Sequence, residues 1–133
     1  MSKITQQITD RFTSFDFGDV PPAEVFTILS SDRRILFLRA FEYRECLSRA
    51  EIADISSSID LDKPIEQVSG SERKKYYVGF MQQHADRLVA CKALRVSDSR
   101  DDLYYRGENY DEFMRLLRLF EESSAYITTL NNY

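Results

Sequence analysis

The residue types best suited to meeting a charged ligand gather in one stretch. Arg73, Lys74 and Lys75 are followed by Gln82, Gln83 and Arg87. Lysine and arginine neutralise phosphate, glutamine pairs bidentately with an adenine edge, and arginine does the same with guanine. Apolar residues at helical spacing, Tyr77, Val78, Met81, Ala85 and Leu88, are expected to turn to the core and leave the polar set on the opposite face. Further along, Arg100 lies in the polar run Ser97–Asp102, where it could reach a phosphate or a minor groove, although Asp98, Asp101 and Asp102 oppose it.

Charge follows the same division. The chain has 133 residues and a net charge of -4, yet the segment from Arg73 to Arg106 sums to +4 and the remainder to -8. For a nucleic-acid ligand the distribution matters more than the total. Few lysines and abundant acids lean toward a salt-adapted archaeal source.

Catalytic patterns are missing from the sequence. His84 is the one histidine, and Cys46 and Cys91 stand in no metal-like spacing. There is no Gly-rich phosphate loop, no nucleophile with its base and no convincing pair of carboxylates. His84 reads as a helix-packed structural residue and both cysteines as small core residues. A redox sensor built on either thiol is a weaker alternative, since nothing in the sequence lowers a thiol pKa. The expectation is a protein that is not an enzyme, with no cofactor and no metal. No apolar run approaches the ~20 residues of a membrane span, and Met1–Gln7 has no signal-peptide core, so no membrane and a cytoplasmic setting are expected.

The elements that must position these residues are read from caps and periodicity. Residues 1–20 read as an N-terminal arm. Pro21-Pro22 opens a helix, because proline suits a first turn. Ser31 caps the next helix, Asp32 to about Tyr43. Ser48 with Glu51 and Ser69 with Glu72 are capping boxes, and Asn109 with Glu112 resembles a third. They predict helices through Ile59, over about 69–90, and from Tyr110 to about Ile127. Alternation in Leu94–Val96 and Leu103–Tyr105 predicts a hairpin, a wing over about 94–106. The fold class expected is mainly α with a small β-hairpin: a winged helix-turn-helix over 21–107, with an extra C-terminal helix in 108–133. That last helix carries the stripe Phe113, Leu116, Leu117, Phe120 and Ile127, which predicts a homodimer through it, with core packing as the alternative.

One stretch resembles a known family. Asp62-Lys63-Pro64-Ile65-Glu66-Gln67-Val68-Ser69, then Glu72–Tyr77, then Gln82-Gln83-His84 and Leu88, is similar to a family of small haloarchaeal winged-helix domains, mostly uncharacterised and taken to be transcriptional regulators. The similarity runs from about Val25 to Val96. It implies a winged-helix fold, duplex DNA as partner and a cytoplasmic setting. Ala85-Asp86 stands where the family has Leu-Pro, and Cys91-Lys92 where it has Ala-Gly. Glycine there would ease a left-handed turn, so Lys92 either bears that cost or avoids the geometry. The function expected is a sequence-specific regulator with its recognition helix in the major groove. The alternative is a winged-helix interaction module that binds protein and not DNA.

Overall fold

In the computed structural model, Lys3 and residues 14–131 are described, with side chains through residue 124; most of the expected arm and the side chain of Ile127 lie outside them. The chain is mainly helical with one small antiparallel sheet. In order come α1 (Pro22–Leu29), α2 (Asp32–Ala40), β1 (Cys46–Ser48), α3 (Arg49–Leu61), a 3-10 turn (Ile65–Gln67), α4 (Gly70–Gly79), a π-turn (Phe80–His84), α5 (Ala85–Ala90), β2 (Leu94–Val96), β3 (Leu103–Arg106) and α6 (Tyr110–Asn131).

Local chemistry sets these boundaries. Pro22 occupies the first turn of α1. Ser31 accepts the Arg34 N–H at the start of α2. Both capping boxes close with reciprocal bonds, Ser48 with Glu51 and Ser69 with Glu72, which satisfies donors that the first helical turn leaves unpaired. Asn109 and Glu112 do otherwise. The Asn109 amide donates to the Phe17 and Cys91 carbonyls, and a Glu112 carboxylate oxygen accepts the Asp16 N–H. Those two side chains join distant segments and are not paired with each other.

The expected hairpin forms, β2 against β3, and a third strand joins it. The sheet order is β1-β3-β2, with Leu47 opposite Tyr104 and Val96 opposite Tyr104. The sequence reading missed β1. Three residues are too few to show alternation, and Ser48 reads first as a helix cap.

The core lies between the helices and the inner face of the sheet. Phe80 packs edge-on against Phe37 of α2 at 5.1 Å and against Tyr104 of β3 at 5.0 Å. Helix α6 closes one side: Phe113 meets Phe17 at 4.8 Å, and the Tyr110 hydroxyl donates to the Leu38 carbonyl. Phe113, Leu116 and Leu117 are buried within the chain. The expectation that they mediate dimerisation does not fit, because a residue enclosed by its own core offers no surface to a second copy. Phe120 is half-buried and stacks on Phe26.

Candidate nucleic-acid interface

The helical run from Gly70 to Ala90 does not keep one period. Its buried residues are Tyr76, Phe80, Ala85 and Leu88. The step from Phe80 to Ala85 is five residues, and an α-helix would place them about 140° apart. The π-turn absorbs the extra residue, with the Ala85 N–H donating to the Phe80 carbonyl, so both face the core. This corrects the sequence reading of the inner face in part. Ala85 and Leu88 are buried as expected and Tyr77 packs half-buried against the core, but Val78 is only half-buried, Met81 is exposed, and Tyr76 and Phe80 are inside. The outward face keeps Lys74, Lys75, Gln82 and Gln83, all exposed, and adds Asp86.

The other predicted contacts are engaged inside the molecule. Arg73 Nε stands 2.5 Å from Asp54 Oδ1, an ion pair between α4 and α3 rather than an aligned hydrogen bond. Arg87 Nε lies 3.3 Å from Glu24 of α1. Arg100 grips the Asp102 carboxylate through Nε and NH2 at 3.1 and 3.0 Å, and that contact raises its own pKa while lowering that of Asp102. Arg106 caps the end of α2 by donating to the Phe41 carbonyl. Lys92 lies 3.7 Å from Glu108. Of the eight cations in the basic segment, Lys74, Lys75 and Arg95 have no carboxylate or carbonyl partner among the described residues; Arg95 lies 4.3 Å over the Tyr105 ring. The local +4 therefore overstates the free charge, because Asp54, Glu24 and Glu108 lie outside the segment in sequence and beside it in space.

The hairpin is tied down as well. The Arg49 N–H donates to the Asp102 carbonyl and its NH2 to the Asp101 carbonyl, both at 2.9 Å, and its guanidinium also reaches the Tyr104 hydroxyl. The hairpin turn is thus anchored to the start of α3.

The start of α4 is fixed by a second network. Lys63 Nζ lies 2.8 Å from Glu72 Oε1, which also accepts the Ser69 N–H. The Lys63 hydrogen bond and then the Ser69 N–H hold the Glu72 carboxyl down at about 2. Tyr76 donates to Asp60 Oδ2 at 2.6 Å beneath the Arg33 guanidinium, joining α4 to α3.

His84 ends the π-turn at φ -125°. Its ring sits 5.7 Å from Phe37, and its Nδ1 lies 3.4 Å from Arg34 NH1. Burial, then the neighbouring Arg34, Arg33 and Arg87 cations, lowers its pKa. Burial raises that of the Cys91 thiol; Cys46 is half-buried, and both cysteines are free. Among the described residues no cluster of His, Cys, Asp and Glu could hold a metal ion, and no described helix is long and apolar enough to cross a membrane. Compared with known proteins, the chain matches no family model, no curated protein and no solved structure.

Proposed function

We propose that the chain is a winged-helix regulator that binds duplex DNA through the outward face of the Gly70–Ala90 helical run. The observation that carries this reading is the set Lys74, Lys75, Gln82 and Gln83: two cations without a carboxylate partner among the described residues and two amides, exposed together on a helix whose other face is locked into the core. Lysines on an exposed helix face meet backbone phosphates, and amides further along reach base edges. The element order supports it too, since a hairpin follows directly on the last helix of a three-helix unit and pairs with a strand from between its helices.

The contact set is smaller than the sequence suggests. Arg73, Arg87 and Arg100 act as internal ties. Of the residues expected to pair two copies, Phe120 alone is partly exposed among the described side chains, so a homodimer, with its two half-sites, rests on that end of α6.

Binding of duplex DNA measured against salt tests the reading. The Lys74→Ala, Lys75→Ala double variant should flatten the dependence of log K on log salt by roughly 1.8, about 0.9 for each lost phosphate contact. Arg100→Ala should leave that slope unchanged. An interaction module is the second reading, favoured by the neutralised wing. Failure of the unmodified protein to bind any duplex at low salt would sink the first reading and support the second.

A further inference from the structure

The π-turn and the corner formed by α1 and α2 meet at one pair of side chains. Arg34 is buried, with 8% of its surface exposed. Its Nε donates to the Ile28 carbonyl at 3.0 Å and its NH2 to the Thr27 carbonyl at 2.7 Å, so it caps the end of α1. Those two bonds fix the guanidinium plane. The remaining nitrogen, NH1, points to His84 Nδ1. A guanidinium only donates, so Nδ1 must be the acceptor and the ring proton must sit on Nε2. Phe37 backs the same ring.

We infer that Arg34 and His84 are positioning residues for base readout, holding the end of the π-turn so that Gln82 and Gln83 stay on the face of Lys74 and Lys75. This rests on the DNA-binding reading. In an uninterrupted α-helix Gln83 would lie only about 60° from Phe80, at the margin of the buried face. The five-residue turn moves it outward, and His84 is the residue at which the turn rejoins α geometry. The lysines precede the turn and do not depend on it. Phosphate contact and sequence preference are therefore set by separate parts of the same helix.

Acid acts on the same contact. Arg34 and Phe37 contact the ring, and Arg33 and Arg87 act on it through space, Arg33 with Asp60 and Arg87 with Glu24 as their carboxylate partners. A protonated imidazole has no acceptor for Arg34 and adds a cation to three others.

The experiment selects preferred sites from a random duplex pool with the unmodified protein, His84→Leu and His84→Gln, each checked for folding by thermal melting. Glutamine supplies an acceptor oxygen and leucine does not. His84→Leu should keep the salt slope and lose at least tenfold in enrichment of the preferred site. His84→Gln should retain enrichment and remove its decline at acid pH. A folded His84→Leu with unchanged enrichment overturns the inference. If His84→Leu does not fold, Arg34→Lys serves in its place, because lysine lacks the fork that spans both carbonyls and the imidazole. Should the unmodified protein bind no duplex, the DNA reading fails by itself. Thiol labelling of Gln83→Cys then decides the positioning claim: rapid labelling that slows when His84→Leu is added supports it, and an equal rate refutes it.

Discussion

Two basic regions adjoin in the chain, the outward face of the Gly70–Ala90 run and the turn of the β2–β3 hairpin, and the fold treats them in opposite ways. On the helix, Lys74, Lys75, Gln82 and Gln83 face outward with the side opposite them packed on Phe37 and Tyr104. In the hairpin, Arg100 is closed on Asp102, and Arg49 holds the turn by two carbonyls. Exposed ion pairs of this kind add little stability, but they remove a cation from those a ligand can meet cheaply. Net charge along a segment cannot separate the two cases. What separates them is whether an acid from elsewhere in the chain lies beside the base.

The largest expected effect tests the inner side of the helix. Phe80→Ala should destabilise the fold by about 4 kcal/mol, as a large ring deleted from a packed site leaves both a transfer loss and a cavity. Met81→Ala, next in sequence, should change stability by less than about 0.5 kcal/mol, since Met81 is 39% exposed. Urea unfolding of both variants is the measurement. Similar losses at the two positions would mean that the run is a plain α-helix with Met81 inside, and the contrast between helix face and hairpin would lose its basis.

That pair also marks where sequence reading reached its limit. Caps were legible because they depend on residues three apart: Ser31, Ser48 and Ser69 all accept the N–H bonds expected of them. The hairpin was legible from alternation. The stripe Tyr77, Val78, Met81, Ala85, Leu88 assumed a constant 3.6-residue period, and a π-turn breaks that assumption without a local signal. The true inner spacing, Tyr76, Phe80, Ala85, Leu88, looks irregular until the five-residue step is allowed. Within the candidate site, exposure of the lysines and glutamines was predictable. The fate of Arg73, Arg87 and Arg100 was less so, because Asp54 and Glu24 reach the first two only through tertiary packing. Phe113, Leu116 and Leu117 form an apolar stripe, but a stripe does not say which surface covers it.

The junction between helix and hairpin is the next place to press. Lys92 sits at φ +64°, and the Lys92 and Ala93 N–H groups donate to the Val89 and Leu88 carbonyls, the paired bonds of a Schellman motif. Lysine therefore bears the left-handed cost that glycine would avoid. Gly107 stacks against this turn so tightly that a Cβ would fall 2.2 Å from the Lys92 carbonyl oxygen, so the turn has no room to relax. Lys92→Gly should raise stability by about 1 kcal/mol in urea unfolding, with only a weak exposed contact to Glu108 lost. A decrease would show that the Lys92 side chain contributes more than its backbone strain costs.

The smallest effect is a pH dependence confined to the helix start. Glu72 has a folded pKa of about 2 against an ordinary 4.5. A lowered carboxylate pKa means that the unfolded chain binds the proton more tightly, so the contribution is complete above pH 4.5 and fades as pH falls toward 2. In Glu72→Gln the amide oxygen can still accept the Ser69 N–H, but the charge facing Lys63 is gone. The melting temperature of the unmodified protein should therefore fall more steeply than that of the variant between pH 4.5 and 2, and the two curves should run parallel above pH 5. The hairpin turn holds a matching carboxylate in Asp102, its pKa lowered chiefly by its hydrogen bond from Arg100. Asp102→Asn should likewise flatten the acid slope and, unlike Glu72→Gln, release Arg100. If the protein binds duplex DNA as proposed and that release steepens the salt dependence, the Asp102 ion pair is what keeps Arg100 from the phosphates; if the slope stays as it was, the hairpin turn lies away from the phosphates and the proposed contact is made by the helix face.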